Sequence, residues 1–227
     1  MAVDPRAVAE KRRAMLARLQ PVHDKHWQSV EESWAKERAG GNVAVKERLA
    51  ENVITARHGF DLFVTPNHLA ERMVEIAEIK PGMTVLEPEA GTGRIAKAIR
   101  NAGVEPVCVE YAWDTYEFLR KQGYNVTQSD FLEWTAPHKF DVILMNPPFS
   151  NSADIIHVMW AYMHLARKGI LVAIMSEGAF HGDRKKVANF RAWAEMKGAH
   201  SEQLDAQTFK ESGTNVNARL FTLRRKI

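Results

Sequence analysis

The sequence lacks most of the features that mark secreted, membrane and repeat proteins. Only one of its 227 residues is a cysteine, and a single thiol cannot build the disulfide framework of a small secreted domain. We find no signal peptide, no long uncharged apolar segment, no internal repeat and no low-complexity tract. Secretion and membrane spanning are therefore not expected. A cytoplasmic protein is predicted, and the length allows a sizeable core in one domain.

Reactive thiols and metal ligands are also scarce. Cys108 lies in an apolar strand pattern, which predicts a reduced core thiol and not a nucleophile. His23 and His26 flank Asp24, but this spacing lacks the further ligands of a zinc site. No metal site is expected.

Excess charge of either sign is small overall but unevenly divided along the chain. Residues 1–60 hold 11 Lys and Arg against 8 Asp and Glu, residues 61–181 hold 10 against 15, and residues 182–227 hold 10 against 5. An acidic middle suits a cationic ligand, and basic ends suit phosphates. Solvated helix faces are the alternative explanation for the basic ends.

Asn146-Pro147-Pro148-Phe149 is the most informative motif. It follows an apolar run over residues 140–145 that predicts a buried parallel strand, so it lies where open α/β sheets bind ligands. The two prolines hold the turn extended, so that the Asn146 side-chain oxygen and the Pro147 carbonyl can both accept hydrogen bonds. Two acceptors suit one NH2 group, and Phe149 offers an apolar face to a planar ring.

A glycine-rich turn upstream predicts a second ligand contact. Residues 83–87 form a short strand that leads through Pro88-Glu89-Ala90 to Gly91-Thr92-Gly93 and a helix over about residues 94–101. Glycine permits the tight turn and a close approach of the backbone to a ligand.

Two ligands fit this turn on sequence grounds. Gly91-x-Gly93-x-x-Ala96, with Glu110 after the next strand, matches a dinucleotide fingerprint. However, Glu87 directly before the turn would repel a pyrophosphate, whereas a carboxylate suits a cationic amino acid. A sulfonium cofactor fits better.

With these motifs, the chain resembles the class I S-adenosylmethionine-dependent methyltransferases, and within them the enzymes that methylate adenine amines in DNA. Phe63-Val64-Thr65-Pro66 resembles the element that holds the methionine end of the cofactor. The resemblance implies that Glu110 binds the ribose, Tyr111 packs on the cofactor adenine and Ser129-Asp130-Phe131 contacts its edge. The implied S-adenosyl-L-methionine residues are Thr65, Pro66, Glu87, Ala90, Gly91, Gly93, Glu110, Tyr111, Asp130, Phe131 and Asn146, and the implied catalytic residues are Asn146, Pro147, Pro148 and Phe149. Glu89 departs from the pattern, because the family commonly carries a small residue there.

The expected fold is a doubly wound, mostly parallel seven-stranded α/β sheet of the Rossmann-like type. Strands and helices alternate up to residue 175, and strands over 200–204 and 218–224 end the sheet with one antiparallel member, as the resemblance implies. Residues 59–227 are predicted to form the catalytic domain and residues 1–58 a helical extension. Trp27, Val30 and Trp34 form a stripe in this extension that suits core packing or a homodimer.

Nucleic-acid contacts are predicted after the strand over residues 170–175. Phe180 supplies an aromatic ring, and Arg184, Lys185 and Lys186 are expected to bind phosphates.

Together these motifs predict direct transfer of a methyl group to the exocyclic amine of a flipped adenine in DNA. No large recognition insert interrupts the motifs, so short or relaxed sequence specificity is expected, which would suit protection of DNA from restriction. Two alternatives stay open: methylation of adenine or guanine amines in RNA, and methylation of glutamine in a protein. A non-enzymatic binding module fits least, because both motifs are intact.

Overall fold

The computed structural model describes residues 63–205, 207–209 and 217–226. Within them, seven strands form one sheet. Their bounds are β1 Val85–Pro88, β2 Val107–Glu110, β3 Asn125–Gln128, β4 Phe140–Met145, β5 Leu165–Ser176, β6 His200–Gln203 and β7 Ala218–Arg224.

Five α-helices are described. They are α1 Asn67–Ala77, α2 Arg94–Asn101, α3 Trp113–Lys121, α4 Ala153–His164 and α5 Lys185–Lys197. Short 3-10 helices, Ser150–Ser152 and Glu177–Ala179, follow β4 and β5.

The strand order across the sheet is β3-β2-β1-β4-β5-β7-β6. Strands β1 to β5 run parallel, and β7 runs antiparallel to both β5 and β6. The predicted doubly wound α/β sheet with seven strands and one antiparallel member is confirmed. The order reverses direction between β1 and β4, so a crevice opens at their carboxyl ends, where such folds bind ligands.

The central strands are buried on both faces, because side chains alternate along a strand and helices cover both sides. In β4, Ile143 and Met145 pack with α4 and α5, whereas Val142 and Leu144 pack with α1 and α2. This packing fixes β4 rigidly, and the residue that follows it is held at the edge of the crevice.

The predicted helical extension over residues 1–58 and its Trp27, Val30 and Trp34 stripe lie outside the described residues. The boundary at residue 59 and a homodimer through these helices stay predictions. Among the described helices, none combines the length and apolar character needed to cross a membrane.

Candidate functional site

The site lies at the carboxyl ends of β1, β2 and β4. Strand β1 pairs with β2 on one side and with β4 on the other. The loops after these three strands therefore meet at one edge of the sheet. They are the glycine turn after β1, the Glu110-Tyr111 segment at the end of β2, and Asn146 to Phe149 after β4.

Asn146 is held by one end of its amide group. Its Nδ2 donates to the backbone oxygen of Phe63 at 2.9 Å and to Oγ1 of Thr65 at 3.1 Å. Its Oδ1 is buried and has no hydrogen-bond partner. Buried acceptors are rarely left unpaired, so this oxygen can accept a hydrogen bond from a bound ligand. Pro147, the other predicted acceptor, is buried as a residue.

Phe149 stacks on another aromatic ring of the site. Its ring lies 5.4 Å from the ring of Phe63, with 23° between the ring planes. Phe63 thus contacts the loop of Asn146 to Phe149 twice, through this stacking and through its carbonyl oxygen. Sequence reasoning identifies Phe63 as part of a cofactor element but misses its role in holding this loop, because the two segments lie far apart along the chain.

The glycine turn is fastened to the end of β2. The backbone N–H of Gly91 donates to Oε2 of Glu110 at 2.7 Å, and the N–H of Ala112 donates to Oε1 at 2.8 Å. Gly91 and Gly93 have positive φ angles of 55° and 79°. A Cβ on Gly93 would lie 2.6 Å from Cδ2 of Leu119, so α3 packs directly against the turn and leaves no room for a side chain.

Two carboxyl groups beneath this turn are almost completely buried. Burial raises the pKa of Glu87 well above its usual value, and the nearby charge of Glu110 raises it further. Burial also raises the pKa of Glu110, while hydrogen bonds from Ala112 and Gly91 act in the opposite direction. A cationic ligand would offset the cost of ionising both groups.

Cys108 lies beside Glu87 in β2 and is fully buried. Burial and the charge of Glu87 raise the pKa of its thiol well above the usual value. It is a core residue that favours the neutral thiol form.

Glu89 contacts the helix that follows the catalytic loop. Its Oε1 lies 2.5 Å from Nδ1 of His157 in α4, although the geometry falls outside the angular range of a hydrogen bond. The other oxygen, Oε2, is buried without a partner. No sequence pattern indicates this pair, because its members lie far apart along the chain.

The residues implied to hold the cofactor adenine are near β2 and β3. Asp130 accepts the N–H of Leu132 through Oδ1 at 2.9 Å, which fixes the turn after β3. Tyr111 is half-buried directly after β2. Phe131 is 2% exposed, and its ring packs near the rings of Trp134, His157 and His164.

The predicted nucleic-acid residues divide into two environments. Phe180 is half-buried, and its ring packs near Phe190 and Phe221. Arg184 and Lys185 are exposed at the start of α5. Their role in phosphate binding stays a prediction.

Lys186 is half-buried and contacts the segment that follows Phe149, and its predicted role in phosphate binding stays a prediction. Its Nζ donates to the backbone oxygen of Asn151 at 3.1 Å. Burial lowers the pKa of Lys186, and the charge of Asp154 partly opposes this. The contact links α5 to the segment just after Phe149, a link that spacing does not predict.

Asp154 is a further structural residue that sequence reasoning misses. It is completely buried at the start of α4, and its Oδ2 accepts from the N–H and Oγ of Ser176 at 2.9 and 2.7 Å. These bonds tie α4 to the end of β5. Among the described residues, no group of three or more His, Cys, Asp or Glu side chains forms a metal-ion site.

A family model named methyltransferase small domain matches residues 67–181, just over half of the chain. The match includes the glycine turn, Glu110 and the Asn146 to Phe149 motif. The chain belongs to this methyltransferase family. Its cofactor is S-adenosyl-L-methionine, as predicted.

Two curated relatives act on RNA according to their names. A mitochondrial ribosomal RNA small subunit methyltransferase from Arabidopsis thaliana is 26% identical over 149 residues, which are 62% of this chain and 37% of that protein. A tRNA1(Val) (adenine(37)-N6)-methyltransferase from Aliivibrio fischeri is 31% identical over 88 residues, 34% of this chain and 38% of that protein. The matched stretches thus span less than two fifths of either relative.

A solved structure supports the fold. A modification subunit ascribed to a type I restriction enzyme from Vibrio vulnificus YJ016 has a TM-score of 0.63 and 18% identity, over 80% of this chain and 49% of that one. At this identity the likeness concerns the fold alone.

The residues present fit S-adenosyl-L-methionine. The carboxylate of Glu110 already accepts two N–H groups, but each carboxylate oxygen can accept more than one hydrogen bond, so capacity remains for ribose hydroxyls. Gly91 has a φ of 55° and carries no side chain that would separate its backbone from a ligand. The buried carboxyl groups of Glu87 and Glu110 suit a cationic ligand.

Proposed function

We propose that the protein methylates the exocyclic N6 amine of adenine in DNA, within a short or relaxed sequence context. The observation that carries this proposal is the hydrogen bonding of the Asn146 side chain. Its amide nitrogen is anchored by Phe63 and Thr65, and its buried Oδ1 has no partner. An acceptor fixed in this way, next to a conformationally restricted Pro147-Pro148 pair, suits a planar NH2 group.

The chemistry requires that the amine become a better nucleophile. The lone pair of an exocyclic aromatic amine is delocalised into its ring. When Oδ1 of Asn146 and the carbonyl of Pro147 accept hydrogen bonds from the two N–H groups of the amine, the nitrogen moves toward tetrahedral geometry and its lone pair becomes available. S-adenosyl-L-methionine supplies the methyl group from its sulfonium centre. The proton can leave after transfer, because the nitrogen becomes acidic when it gains the methyl group.

Access to the amine requires that a duplex base be turned out of the helix. The rings of Phe149 and Phe63 provide aromatic surface at the site. Stacking on this surface would offset part of the few kcal/mol that unstacking costs.

Relaxed specificity is proposed from the connections between elements. Between Val85 and Ser176, the strands follow one another with no connection long enough to form a separate recognition region. Reading a defined site in the major groove needs several side chains on a supporting scaffold. Masking of DNA from restriction is the biological role that such an activity would suit.

Adenine in RNA is the second candidate, favoured by the curated relatives. The Aliivibrio protein is named as an adenine-N6 methyltransferase of tRNA and is 31% identical over its matched stretch. The acceptors around Asn146 do not distinguish the sugar that carries the base.

One experiment separates the candidates. The purified protein is incubated with labelled S-adenosyl-L-methionine and with duplex DNA, single-stranded DNA, RNA or protein, and the digested products are identified. We expect N6-methyladenine in DNA, formed about 10²-fold or more slowly by an Asn146→Ala control. If label entered RNA alone, RNA and not DNA would be the substrate. If label entered neither nucleic acid, the proposal would be overturned.

The sequence context is tested by expressing the protein in a host without DNA methylation and sequencing the methylated positions. We expect methylated adenines in many contexts. Confinement to one motif of about four or more base pairs would contradict relaxed specificity.

A further inference from the structure

Glu89 lies at the same edge of the sheet as Asn146, because each residue directly follows one of two paired strands. Val85 pairs with Val142 and Leu86 pairs with Ile143 where β1 and β4 run parallel. Continued past both strand ends, this register places Glu89 level with Asn146. Each is the first residue after its strand. Glu89 therefore directly precedes the cofactor turn and lies at the same edge of the sheet as Asn146.

The backbone and one carboxyl oxygen of Glu89 are fixed. Its φ angle is 59°, a left-handed value that is unusual for a side chain other than glycine. Its N–H donates to the oxygen of Val109 at 2.7 Å, and its Oε1 contacts Nδ1 of His157 at 2.5 Å. The His157 side chain is only 6% exposed, so this contact places Oε1 against a buried ring of α4.

The second oxygen of Glu89 has no hydrogen-bond partner within the protein. Oε2 is buried and has no hydrogen-bond partner, which is costly for a carboxylate unless a donor or a cation binds beside it. The whole side chain retains 18% exposure, so the group lies close to the protein surface although Oε2 itself is covered. A strained backbone that presents an unpaired carboxylate at this position indicates a functional constraint.

The charge of the ligand changes during the reaction. S-adenosyl-L-methionine carries a positive sulfonium, whereas the product S-adenosyl-L-homocysteine has a neutral thioether at the same atom. Every other charged group of the two molecules is the same. A carboxylate near the sulfur would therefore attract the reactant and not the product.

We propose that Glu89, positioned by His157, makes the cofactor site selective for charge, so that the sulfonium reactant binds more tightly than the thioether product. Because the inference depends on the cofactor alone, it stands whether the methylated polymer is DNA or RNA.

The test is the affinity ratio of product to reactant, measured by calorimetry without nucleic acid. Dissociation constants of S-adenosyl-L-methionine, S-adenosyl-L-homocysteine and sinefungin are compared, since sinefungin carries a protonated amine on the carbon that replaces the sulfur. In Glu89→Gln, we expect the preference for S-adenosyl-L-methionine over the thioether to fall by roughly tenfold, the size of a partly screened charge interaction. Sinefungin should lose affinity in parallel, and the thioether should change little.

Three further variants make the result decisive. Glu89→Asp keeps the charge and should retain most of the preference, whereas Glu89→Ser should lose it as Glu89→Gln does. His157→Leu should reduce the preference less than Glu89→Gln, because the carboxylate remains but is no longer held. A ratio within twofold of the original in both Glu89→Gln and Glu89→Ser, or an equal loss for all three ligands, would overturn the proposal. If His157→Leu left the affinity ratio of product to reactant unchanged, His157 would have no part in the selectivity.

Discussion

Asn146 uses its two amide atoms for different purposes. The nitrogen donates hydrogen bonds to Phe63 and Thr65, while the oxygen has no partner within the protein. Because the nitrogen donates to the carbonyl oxygen of Phe63, the orientation of the amide is set by the fold: a flipped amide would bring two oxygens together. The site is thus arranged before any substrate binds, which is the condition for effective electrostatic catalysis.

Replacing Asn146 should separate catalysis from cofactor binding. We expect Asn146→Ala to fold and to bind S-adenosyl-L-methionine, but to lose methyl transfer by about 10²-fold or more, as when one positioned hydrogen-bonding group is removed. Single-turnover kinetics with labelled cofactor measures the transfer step.

Two further variants serve as matched controls. Asn146→Asp keeps an acceptor but cannot donate to Phe63, so it should also transfer slowly. Thr65→Val removes only the second of the two acceptors of Nδ2 and should be milder. Near-normal turnover in Asn146→Ala would show that its oxygen does not hold the amine.

Glu87 is a buried carboxyl group whose ionisation opposes folding. Its pKa is raised by burial and by Glu110. When the pH lies between the ordinary pKa and the raised pKa, Glu87 keeps its proton in the folded state and releases it in the unfolded chain. The contribution of Glu87 to the stability of the cofactor-free protein should therefore be most favourable below the ordinary pKa and fall as pH rises through this window, by up to about 1.4 kcal/mol per pH unit.

This dependence can be measured by urea unfolding between about pH 4 and pH 7, a range that starts near the ordinary pKa of a glutamate. We expect Glu87→Gln to unfold with a weaker pH dependence than the original protein and to be the more stable of the two at neutral pH, while losing affinity for S-adenosyl-L-methionine. Some dependence remains, because the pKa of Glu110 is raised as well. Identical pH profiles for the two proteins would mean that Glu87 ionises as easily in the fold as in the unfolded chain.

At the scale of elements, the glycine turn and helix α2 form one unit. Gly93 precedes the helix with a φ of 79°, and α3 packs on it through Leu119. The turn is also fastened to β2 through Glu110. The cofactor loop is therefore held from three elements, and its backbone cannot adjust to an added side chain.

Gly91→Val should consequently abolish measurable cofactor binding in calorimetry. A β-branched side chain disfavours the φ of 55° that Gly91 adopts and would occupy the ligand's approach. Gly82→Ala is the matched control, since Gly82 has a φ of 91° and a methyl group added there would meet no atom within 4 Å. It should cost about 1–2 kcal/mol of stability from backbone strain and leave affinity unchanged. Unchanged affinity in Gly91→Val would defeat this placement of the cofactor.

An element can be predicted from the sequence when the residues that mark its ends lie within or next to it. The sequence pattern predicts α2 over residues 94–101, and the helix forms there, because glycine and the apolar period mark it locally. The same kind of pattern predicts that β5 begins at residue 170, but the strand begins at Leu165, directly after α4. No glycine or proline marks that junction, so sequence pattern alone cannot place it.

The same distinction holds for the site. The glycine turn and Asn146 to Phe149 are short continuous motifs, and each can be read from the sequence. The contacts of Glu89 with His157 and of Lys186 with Asn151 join distant segments. They arise from the order of strands in the sheet and the packing of helices against it, which no local spacing encodes.

At the scale of the whole molecule, the charges divide between the site and its surroundings. Residues 61–181 carry an acidic excess, and residues 182–227 carry a basic one. Three carboxyl groups of the acidic part, those of Glu87, Glu89 and Glu110, lie around the cofactor turn. Arg184 and Lys185 are exposed at the start of α5, in the connection that follows the carboxyl end of β5. A polymer of phosphates that reaches the catalytic loop is expected to be held by such peripheral cations and not by the acidic centre.

Binding of the nucleic acid should therefore weaken steeply as salt rises, and single charge removals should change the slope in a position-dependent way. Each phosphate contact contributes about 0.9 to the slope of log affinity against log salt for duplex DNA, and about 0.7 for a single strand. We expect Arg184→Ala and Lys185→Ala each to reduce the slope by about this amount in fluorescence-anisotropy titrations. Lys80→Ala is the matched control, because Lys80 is exposed before β1, at the opposite edge of the sheet, and should leave the slope unchanged. If Lys80→Ala reduced the slope as much as Arg184→Ala, binding would depend on total charge, and the phosphates would not be held at the start of α5.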